Sequence, residues 1–304
     1  MDRLESMSTL LTAVEAGSLS AASRRLGMPL ATVSRKVAEL EAHLRTRLLV
    51  RTSRRLALTE AGRDYVAACR RILEDIGEAE RAAAGEYSAP RGELHITAPV
   101  VFGRLHVVPV VIAFLAAFPE INIRLALADR MVNLLEEHAD LAVRIGALAD
   151  SALVATRVGS IRRIACASPG YLAARGTPQH PHDLAGHSCV TFETLMSPTA
   201  WGFTAGREAL LVPVRSRLAV STAEAAIDAA VAGIGITRVL SYQAAEAVRG
   251  GKLSVVLAGF EPPRSPVSLV TNGQGLLPQK LRAFLDFATP LLRARLEGAE
   301  LRAV

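Results

Sequence analysis

The chain has 304 residues, half of them apolar and 21% charged, which is enough apolar side chain to bury folded cores and excludes a wholly disordered protein. Its length suggests about two domains. The longest apolar run, Val107 to Phe118, is too short to cross a bilayer, and the first residues show no signal-peptide pattern. Three widely spaced cysteines support neither a disulfide framework nor a zinc site. We therefore expect a cytoplasmic protein without membrane contact.

The formal net charge of +6 is unevenly distributed along the chain. Between Arg24 and Arg55 there are nine cationic side chains and two acidic ones, so this segment alone carries a balance of +7. Such a cluster is the electrostatic footprint of a polyanionic partner, although a solvated basic face would give the same count. The spacing of the neighbouring residues is needed to choose between these interpretations.

Three helices are predicted within the first 45 residues. Apolar residues from Leu4 to Val14 recur at helical spacing until Gly17, and Ser18 caps a second, short helix that Gly27 ends. Pro29 is tolerated in the first turn of a third helix. The apolar side of that helix is predicted to consist of Leu30, Val33, Val37, Leu40 and Leu44. A helix, a short helix, a tight turn and a longer helix form the helix-turn-helix pattern.

The third helix carries short hydroxyls and small residues beside cations near its N-terminus. This mixture allows close approach to a DNA groove, with methyl and hydroxyl contacts to bases and cations on phosphates. An ordinary amphipathic helix with a polar outer face would show a similar pattern. The predicted DNA contacts of the helix-turn-helix are Ser18, Ala31, Thr32, Ser34, Arg35 and Lys36.

Two short β-compatible runs, 48–50 and 56–58, flank a cationic tip. This is the pattern of a wing, a hairpin whose tip reaches the phosphate backbone or the minor groove. We predict DNA contacts for the tip residues Arg51, Thr52, Arg54 and Arg55. A helix-turn-helix followed by a cationic hairpin is far more specific than either part, and it favours double-stranded DNA as the partner.

These segments resemble the LysR-type transcriptional regulators, and the resemblance covers essentially the whole chain. It is carried by Ala16-Gly17-Ser18-Leu19-Ser20-Ala21-Ala22, by Ser34-Arg35-Lys36-Val37-Ala38-Glu39-Leu40-Glu41, by Leu48-Leu49-Val50-Arg51-Thr52-Ser53-Arg54-Arg55 and by Leu58-Thr59-Glu60-Ala61-Gly62. The resemblance implies a regulator and not an enzyme. It also implies a winged helix-turn-helix domain, residues 1–58, that reads an operator as a dimer.

Three positions depart from the family pattern. Leu19 and Leu49 stand where the family usually or often has phenylalanine, and both are ordinary core exchanges. Arg45 stands where a glycine usually follows the leucine that ends the recognition helix. Because a non-glycine residue at positive φ costs about 1 kcal/mol, we expect a weaker helix end at Arg45, with a phosphate contact as the alternative role of this residue.

A long helix is predicted from a cap at Thr59 to about Tyr87. Its heptad seam consists of Leu58, Gly62, Tyr65, Cys69, Ile72, Ile76, Ala79 and Ala83. Such a seam is typical of a helix that pairs with a second copy, and packing on its own domain is the alternative. Pairing would present two recognition helices to successive major grooves, which predicts a partly palindromic operator. We assign residues 59–90 to a linker helix and hinge, and we read Cys69 as a packing residue.

Residues 91–304 are predicted to form an α/β domain of two lobes. Alternating strands and helices, with strands at 93–97, 121–127 and 140–144 and helices at 103–118 and 132–138, predict a parallel sheet covered on both faces. A second set of elements extends from 162 to 249, and a strand at 266–271 and a helix at 278–297 end the chain. We assign about 91–161 and 266–304 to lobe I and about 162–265 to lobe II. This matches the effector domain of the family, which resembles periplasmic binding proteins.

An anionic small molecule is the expected effector, because ligands of open α/β sheets bind beyond the strand ends and at helix N-termini. Three segments fit this position: the junction 97–103, the strand end Arg144-Ile145-Gly146 and the helix start at Ser221. Structural caps and a structural ion pair are the alternatives for these residues. The candidate effector residues are Thr97, Pro99, Val100, Phe102, Gly103, Arg144, Thr191, Ser221 and Thr222.

Catalytic and cofactor signatures are absent from the sequence. It contains no GxSxG, GxxxxGK[ST] or HExxH motif, and Gly233-Ile234-Gly235 lacks the third glycine of a dinucleotide site. His180, His182 and His187 are predicted to lie in a surface loop and not in a metal site. We expect no cofactor or metal. The family further implies homodimers, homotetramers and RNA polymerase as partners.

Two other functions remain open at this point. The chain could be a solute-binding or small-molecule enzyme domain whose N-terminal part only dimerises, in which case it would show no salt-dependent affinity for DNA. It could also be a repressor that acts without a ligand and whose cleft is vestigial.

Overall fold

The computed structural model describes residues 2–51, 56–83, 89–129, 139–148, 153–192, 200–272 and 277–298. The chain divides into two compact units, Met1–Ala89 and Pro90–Val304. Each unit has its own hydrophobic core and is described separately below.

The N-terminal unit is a helical domain with a small hairpin. Its elements are α1 (Arg3–Glu15), α2 (Leu19–Leu26), α3 (Leu30–Leu44), β1 (Leu49–Arg51), β2 (Leu56–Leu58) and α4 (Glu60–Ala83). One apolar cluster contains Leu10, Val37, Leu40, Leu48, Leu49 and Val66. A second cluster of small residues, Ala13, Ala22 and Val33, lets the first three helices cross closely. The predicted three helices and hairpin strands are therefore confirmed.

Two details of α3 refine the prediction. Leu30 was expected on the apolar side, but it is 45% exposed because it lies at the first helical position, before the stripe that starts at Val33 turns inward. Arg45 ends the helix in the left-handed region, at φ 52° and ψ 31°. The N–H of Arg45 donates to the carbonyl of Ala42, and that of Thr46 donates to the carbonyl of Glu41. The helix thus has the cap that glycine usually provides, formed by an arginine.

The helix α4 packs against the hairpin through a glycine. The Thr59 hydroxyl accepts from the N–H of Gly62 at 2.9 Å and caps α4, as predicted. A Cβ atom at Gly62 would lie 2.0 Å from the carbonyl oxygen of Leu48, so only glycine allows this approach. Cys69 is completely buried in the same unit. The first half of the predicted heptad seam therefore packs on its own domain, whereas Ile72 further along is exposed.

The C-terminal unit begins with a five-stranded sheet, in the order β4-β3-β5-β14-β6. These strands are β3 (Gly92–Ala98), β4 (Ile121–Leu127), β5 (Leu141–Ile145), β6 (Leu153–Ile161) and β14 (Ser265–Asn272). The strand β3 is parallel to β4 and β5, but β14 runs antiparallel to both β5 and β6. The three strands for which the sequence predicts a parallel sheet, β3, β4 and β5, are therefore parallel as predicted, and the sheet is mixed because β14 runs in the opposite direction. The chain returns from the second sheet as β14, and this reverses the strand direction.

A continuous helical stretch covers one face of this first sheet. It consists of α5 (Val100–Phe102), a π-helical turn (Gly103–Val107) and α6 (Val108–Ala117). With 18 residues and a mean hydropathy of 2.1, the stretch Val100–Ala117 is long and apolar enough to cross a membrane. Phe102, Val110 and Phe114 instead pack into the core of the sheet, together with residues of the final helix (Gln279–Gly298). The stretch is thus the core helix of lobe I.

The second sheet has the order β11-β8-β12-β7-β13 and is also mixed. The strands of this half are β7 (Arg163–Ala167), β8 (Cys189–Phe192), β9 (Ala200–Ala205), β10 (Glu208–Pro213), β11 (Ser216–Val220), β12 (Ile236–Leu240) and β13 (Ser254–Val256). Its helices are α7 (Pro169–Arg175), α8 (Ala223–Val231) and α9 (Ser241–Arg249), with 3-10 turns at Pro181–Gly186 and Ala258–Phe260. The last helix, α10 (Gln279–Gly298), packs against the first sheet. The hairpin β9–β10 covers one face of the sheet and α8 the other.

Several elements of this unit differ from the prediction. The strands β6, β9 and β13 and the helix α7 were not predicted. Val239 belongs to a strand and not to the following helix, because it pairs with Ile164 of β7. The predicted helix at 132–138 lies outside the described residues.

Two predicted loops have structural roles. The Asp183 carboxylate accepts from the backbone N–H groups of Gln179 and His180, at 2.9 and 2.8 Å, so this loop is held by its own cap. Within the described residues no cluster of histidine, cysteine and acidic side chains could hold a metal. Gly235 lies against the Ser188 carbonyl, where a Cβ would come within 2.2 Å, which explains a glycine there without a dinucleotide.

Candidate DNA interface and effector cleft

The helix-turn-helix is formed by α2, the turn around Gly27 and α3. The Ser18 hydroxyl accepts from the N–H of Ala21 at 3.1 Å and starts α2, so this predicted DNA contact is also the helix cap. Gly27 ends α2 at φ 64°, and Pro29 precedes α3. Ala22 of α2 and Val33 of α3 are completely buried. These contacts fix the orientation of α3 by its apolar side and leave the opposite side at the surface.

The predicted DNA-reading face of α3 lies at the surface of its unit. Ala31 and Arg35 are exposed, and Thr32 and Ser34 are half-buried. The Arg35 side chain is 68% exposed and contacts Glu39, one helical turn further on, at 3.5 Å. Exposed ion pairs of this kind are weak, so the guanidinium is available to a phosphate.

Lys36 differs from its neighbour Arg35. Its ammonium group pairs with the Glu5 carboxylate of α1, and its side chain is only 15% exposed. The pair links α3 to α1. The predicted DNA contact of Lys36 stays a prediction, and the ion pair with Glu5 could not be read from helical spacing alone.

The wing is a short antiparallel hairpin. Leu49 pairs with Leu58, and Arg51 pairs with Leu56. The predicted tip residues Thr52, Arg54 and Arg55 lie outside the described residues, as does the Arg51 side chain. Glu41 fixes the base of the hairpin, because its carboxylate accepts from the N–H groups of Leu48 and Leu49 at 2.7 and 3.0 Å.

The first candidate effector segment lies where β3 leads into α5. The N–H of Val100 donates to the Asp129 carboxylate at 3.0 Å, so an internal carboxylate occupies the start of this helix. Val100 is exposed and Pro99 is half-buried. Thr97 and Phe102 are buried in the core, and Gly103 lies beneath Leu127. Thr97, Phe102 and Gly103 therefore support the segment from below, and their predicted contacts with an effector stay predictions.

The other candidate effector residues are spread over both lobes. Arg144 is half-buried on β5, opposite Ser268 of β14. Thr191 is buried, and its hydroxyl is bonded to that of Ser216 at 2.7 Å, so it is also a structural residue and not a surface contact. Ser221 and Thr222 are exposed, and the Thr222 hydroxyl caps α8 by accepting from the N–H of Ala225.

A cluster of aromatic rings joins the two lobes. Tyr242 of α9 meets Phe102 edge-on at 5.4 Å between ring centroids, and it meets His106 of the π-helical turn at 5.6 Å. Among the residues that the structure describes, neither ring nitrogen of His106 has a hydrogen-bond partner, and burial lowers the pKa of His106 to about 4. Burial, with the nearby Asp129 carboxylate, raises the pKa of the Tyr242 phenol. The rings at this lobe boundary are therefore neutral near pH 7.

The sequence prediction missed Tyr242 at this boundary and two arginines of the adjoining strands of lobe II, Arg163 and Arg238. Arg238 lies in the middle of the strand Ile-Thr-Arg-Val-Leu, which is otherwise apolar or short-chained. A cation in the middle of a buried strand pattern was a signal in the sequence that could have marked it. Arg163 and Tyr242 follow no motif, and only the strand pairing brings them together.

The fold thus defines a class of protein with a winged helix-turn-helix and a two-lobed α/β domain of the kind that binds small ligands. The model of the bacterial regulatory helix-turn-helix proteins of the lysR family matches residues 4–63, and the model of the LysR substrate binding domain matches residues 88–293. The chain belongs to the LysR family of transcriptional regulators. It therefore combines a DNA-binding domain with an effector-binding domain.

Similar proteins agree with this assignment over nearly the full length. An HTH-type transcriptional regulator of Xanthomonas campestris is 38% identical over 278 residues, which cover 90% of this chain and 81% of that protein. An HTH-type transcriptional repressor of Pseudomonas aeruginosa is 34% identical and covers 96% of this chain and 92% of its own length. The structure of CrgA, a LysR-type transcriptional regulator from Neisseria meningitidis, is 31% identical, with a TM-score of 0.60 over 95% of this chain and 98% of that one.

Proposed function

We propose that the protein is a non-enzymatic cytoplasmic regulator that reads duplex DNA as a homodimer and responds to a small anionic effector. In this proposal residues 1–58 bind DNA, residues 59–90 link and dimerise, and residues 91–304 bind the effector between two lobes. The observation that carries it is the surface of α3, where Arg35 is highly exposed beside small polar side chains. Such a helix face fits the major groove.

The DNA contacts that we propose are Ala31, Thr32, Ser34 and Arg35 on α3, Ser18 at the start of α2, and Arg51, Thr52, Arg54 and Arg55 in the wing. We assign Lys36 a positioning role, because its charge is already paired with Glu5. This division is testable, since each phosphate contact adds about one to the slope of log affinity against log salt.

The test compares Arg35→Ala and Arg54→Ala with Lys36→Met in the full chain. Duplexes that the purified protein selects from a random DNA pool are labelled, and affinity is measured by fluorescence anisotropy between low and moderate salt. We expect Arg35→Ala and Arg54→Ala to weaken binding and to reduce the salt slope by about one each. Lys36→Met should keep the wild-type slope and lower the melting temperature. Unchanged slopes for both arginine variants would contradict the proposed interface.

The same measurement separates the alternative function. A solute-binding or enzymatic protein with a mere dimerisation module would not retard duplex DNA at any salt concentration. The charge of +7 between Arg24 and Arg55 favours the regulator, because it coincides with the exposed face of α3 and with the wing.

Dimerisation is proposed to use the second half of the α4 seam, where Ile72 is exposed and Ile76 is half-buried. Ile72 is an exposed large apolar residue of a long helix, and Ile76 follows it by four residues. We expect Ile72→Glu to shift the protein toward monomers in sedimentation velocity and to weaken DNA binding, because two linked half-sites bind more tightly than one. A homotetramer and a contact with RNA polymerase extend the proposal from the family resemblance.

The effector is proposed to contact Pro99, Val100, Arg144, Ser221 and Thr222 at the segments where both lobes present strand and helix ends. Small carboxylates should raise the melting temperature of the wild type, and Arg144→Ala should reduce that increase. If none of the carboxylates tested raises the melting temperature of the wild type, a regulator that acts without a ligand would be favoured.

A further inference from the structure

Two arginines of the second sheet leave adjacent strands on the same face. Arg163 of β7 is paired with Leu240 of β12, and Ala165 of β7 is paired with Arg238 of β12. Directly opposed residues of antiparallel strands point to one face, so Arg163 and Arg238 are diagonal neighbours, about 7–8 Å apart at their Cα atoms. Long side chains at this spacing can reach a common ligand.

Neither arginine has an acidic partner among the residues that the structure describes. The guanidinium of Arg238 donates to the Gly202 carbonyl and stacks over the Phe203 ring, 5.2 Å from its centroid. The side chain is nevertheless 93% buried, with 7% of its surface exposed. Buried charges in proteins are normally paired, because desolvation of an unpaired ion is costly.

The electrostatic surroundings of the two arginines favour an anion as ligand. Burial lowers the pKa of Arg238, and the nearby Arg163 charge lowers it further. Burial also lowers the pKa of Arg163, and its only other influence is Tyr242. The two cations thus repel each other, and no carboxylate among the described residues offsets either shift. An anion between them would remove the repulsion and satisfy the guanidinium donors.

The position of the pair points to the boundary between the lobes. Leu240, which lies opposite Arg163, packs in the core cluster of lobe I together with Tyr242. Arg163 also follows directly after β6, the strand of lobe I that leads across to lobe II. A ligand held here would contact the lobe II sheet on one side and the Tyr242 ring on the other.

We propose that Arg163 and Arg238 form the oxyanion-binding site of lobe II and hold the carboxylate or phosphate group of a small effector against Tyr242. The inference rests on the proposed function, since it places the charged end of the effector. Guanidinium groups match both planar carboxylates and phosphates, so the shared chemistry is a small oxyanion. The site explains why a buried cation, Arg238, and a half-buried one, Arg163, are kept next to each other.

The first measurement needs no ligand. Removal of an arginine that serves only the fold lowers the stability of the protein. Removal of an unpaired cation from a ligand site instead raises the stability of the ligand-free protein. We expect Arg163→Met to raise the melting temperature of the full chain without ligand by a few degrees. The control is Arg217→Met, an exposed arginine of the same half of the chain, which should leave the melting temperature unchanged.

The second measurement uses acetate, succinate, benzoate, inorganic phosphate and sulfate as probes, each compared with sodium chloride of equal ionic strength. At least one probe should raise the melting temperature of the wild type by about 3 °C at ten times its Kd. That increase should disappear in Arg163→Met and in Arg238→Met and should persist in Arg217→Met. The carboxylate and phosphate arms identify which oxyanion the site prefers.

The outcomes separate this inference from the function on which it rests. No stabilisation by any probe, a lower melting temperature of Arg163→Met, or an increase that persists in both variants would overturn the assignment. Loss of the increase in Arg217→Met would instead place the anion in the cavity of about 460 Å³ beside α7, which Arg175 and Arg217 line, and would also refute it. If Arg238→Met fails to fold, the result for Arg163→Met alone decides the test. Failure of the regulator proposal appears separately, as an absence of DNA binding.

Discussion

The close contact between Gly62 and the Leu48 carbonyl predicts the effect of a single methyl group. In Gly62→Ala the new Cβ would lie 2.0 Å from the carbonyl oxygen and 2.9 Å from the carbonyl carbon. Non-bonded carbon and oxygen atoms approach to about 3.3 Å, so α4 and β1 would have to separate by more than 1 Å. The carbonyl cannot yield easily, since it also accepts from the N–H of Thr59 at 3.0 Å.

The expected magnitude is the difference of two opposing effects. Alanine stabilises a helix by about 1 kcal/mol relative to glycine, whereas overpacking against a rigid backbone costs about 3 kcal/mol. A net loss of about 2 kcal/mol in a unit of this size lowers its melting temperature by roughly 10 °C. We therefore expect Gly62→Ala to destabilise the N-terminal unit in spite of its better helix propensity.

The assay uses the two units as internal references. Trp201 is the only tryptophan and lies in the C-terminal unit, so its fluorescence reports that unit, while circular dichroism reports the helices of both. Gly62→Ala should lower the melting temperature of the N-terminal unit, which is seen by circular dichroism but not by tryptophan fluorescence. The melting temperature measured by tryptophan fluorescence should stay unchanged. Gly170→Ala, in α7 with no atom near the new methyl group, is the matched control and should be neutral or stabilising. A stable Gly62→Ala protein with an unshifted transition would refute the close approach.

Three further predictions follow from local features. Arg45→Gly should stabilise the N-terminal unit by roughly 0.5–1 kcal/mol in urea denaturation, because it relieves a left-handed conformation at φ 52°; a loss of stability would contradict this. The pKa of His106 is lowered to about 4 in the folded protein, so the unfolded chain binds a proton more readily below pH 6.5. Stability should fall as pH drops from 6.5 to 4, and His106→Phe should flatten this fall in melting curves at several pH values. Arg162 and Glu261 form a two-bonded ion pair, at 2.6 and 2.7 Å, between segments that join the lobes. Replacing either alone should cost about 3 kcal/mol, and Arg162→Met/Glu261→Leu together should recover most of it; additive losses in this double-mutant cycle would show that the pair is not coupled.

Local signals in the sequence were sufficient for the N-terminal unit. Ser18, Gly27 and Thr59 act through hydrogen bonds and dihedral preferences within a few residues, and the apolar stripes fix which helix face is buried. For Arg45 the sequence predicted only a weaker helix end, and the structure shows a left-handed cap at φ 52°. The hairpin strands were also predicted, because turn-rich cationic residues separate two short apolar runs.

The tertiary structure decided what depends on residues far apart in the chain. The antiparallel strand directions in both sheets follow from the return of β14 and from β7 beside β12, and no local pattern encodes them. The partner of Lys36 is Glu5, 31 positions away, so its charge could not be assigned by helical spacing. Arg163 and Arg238 become neighbours only through strand pairing. The sequence by itself thus determined the helices, their caps and the DNA-binding class, because these depend on short-range forces. The effector cleft depends on long-range packing and desolvation, and only the folded chain establishes it.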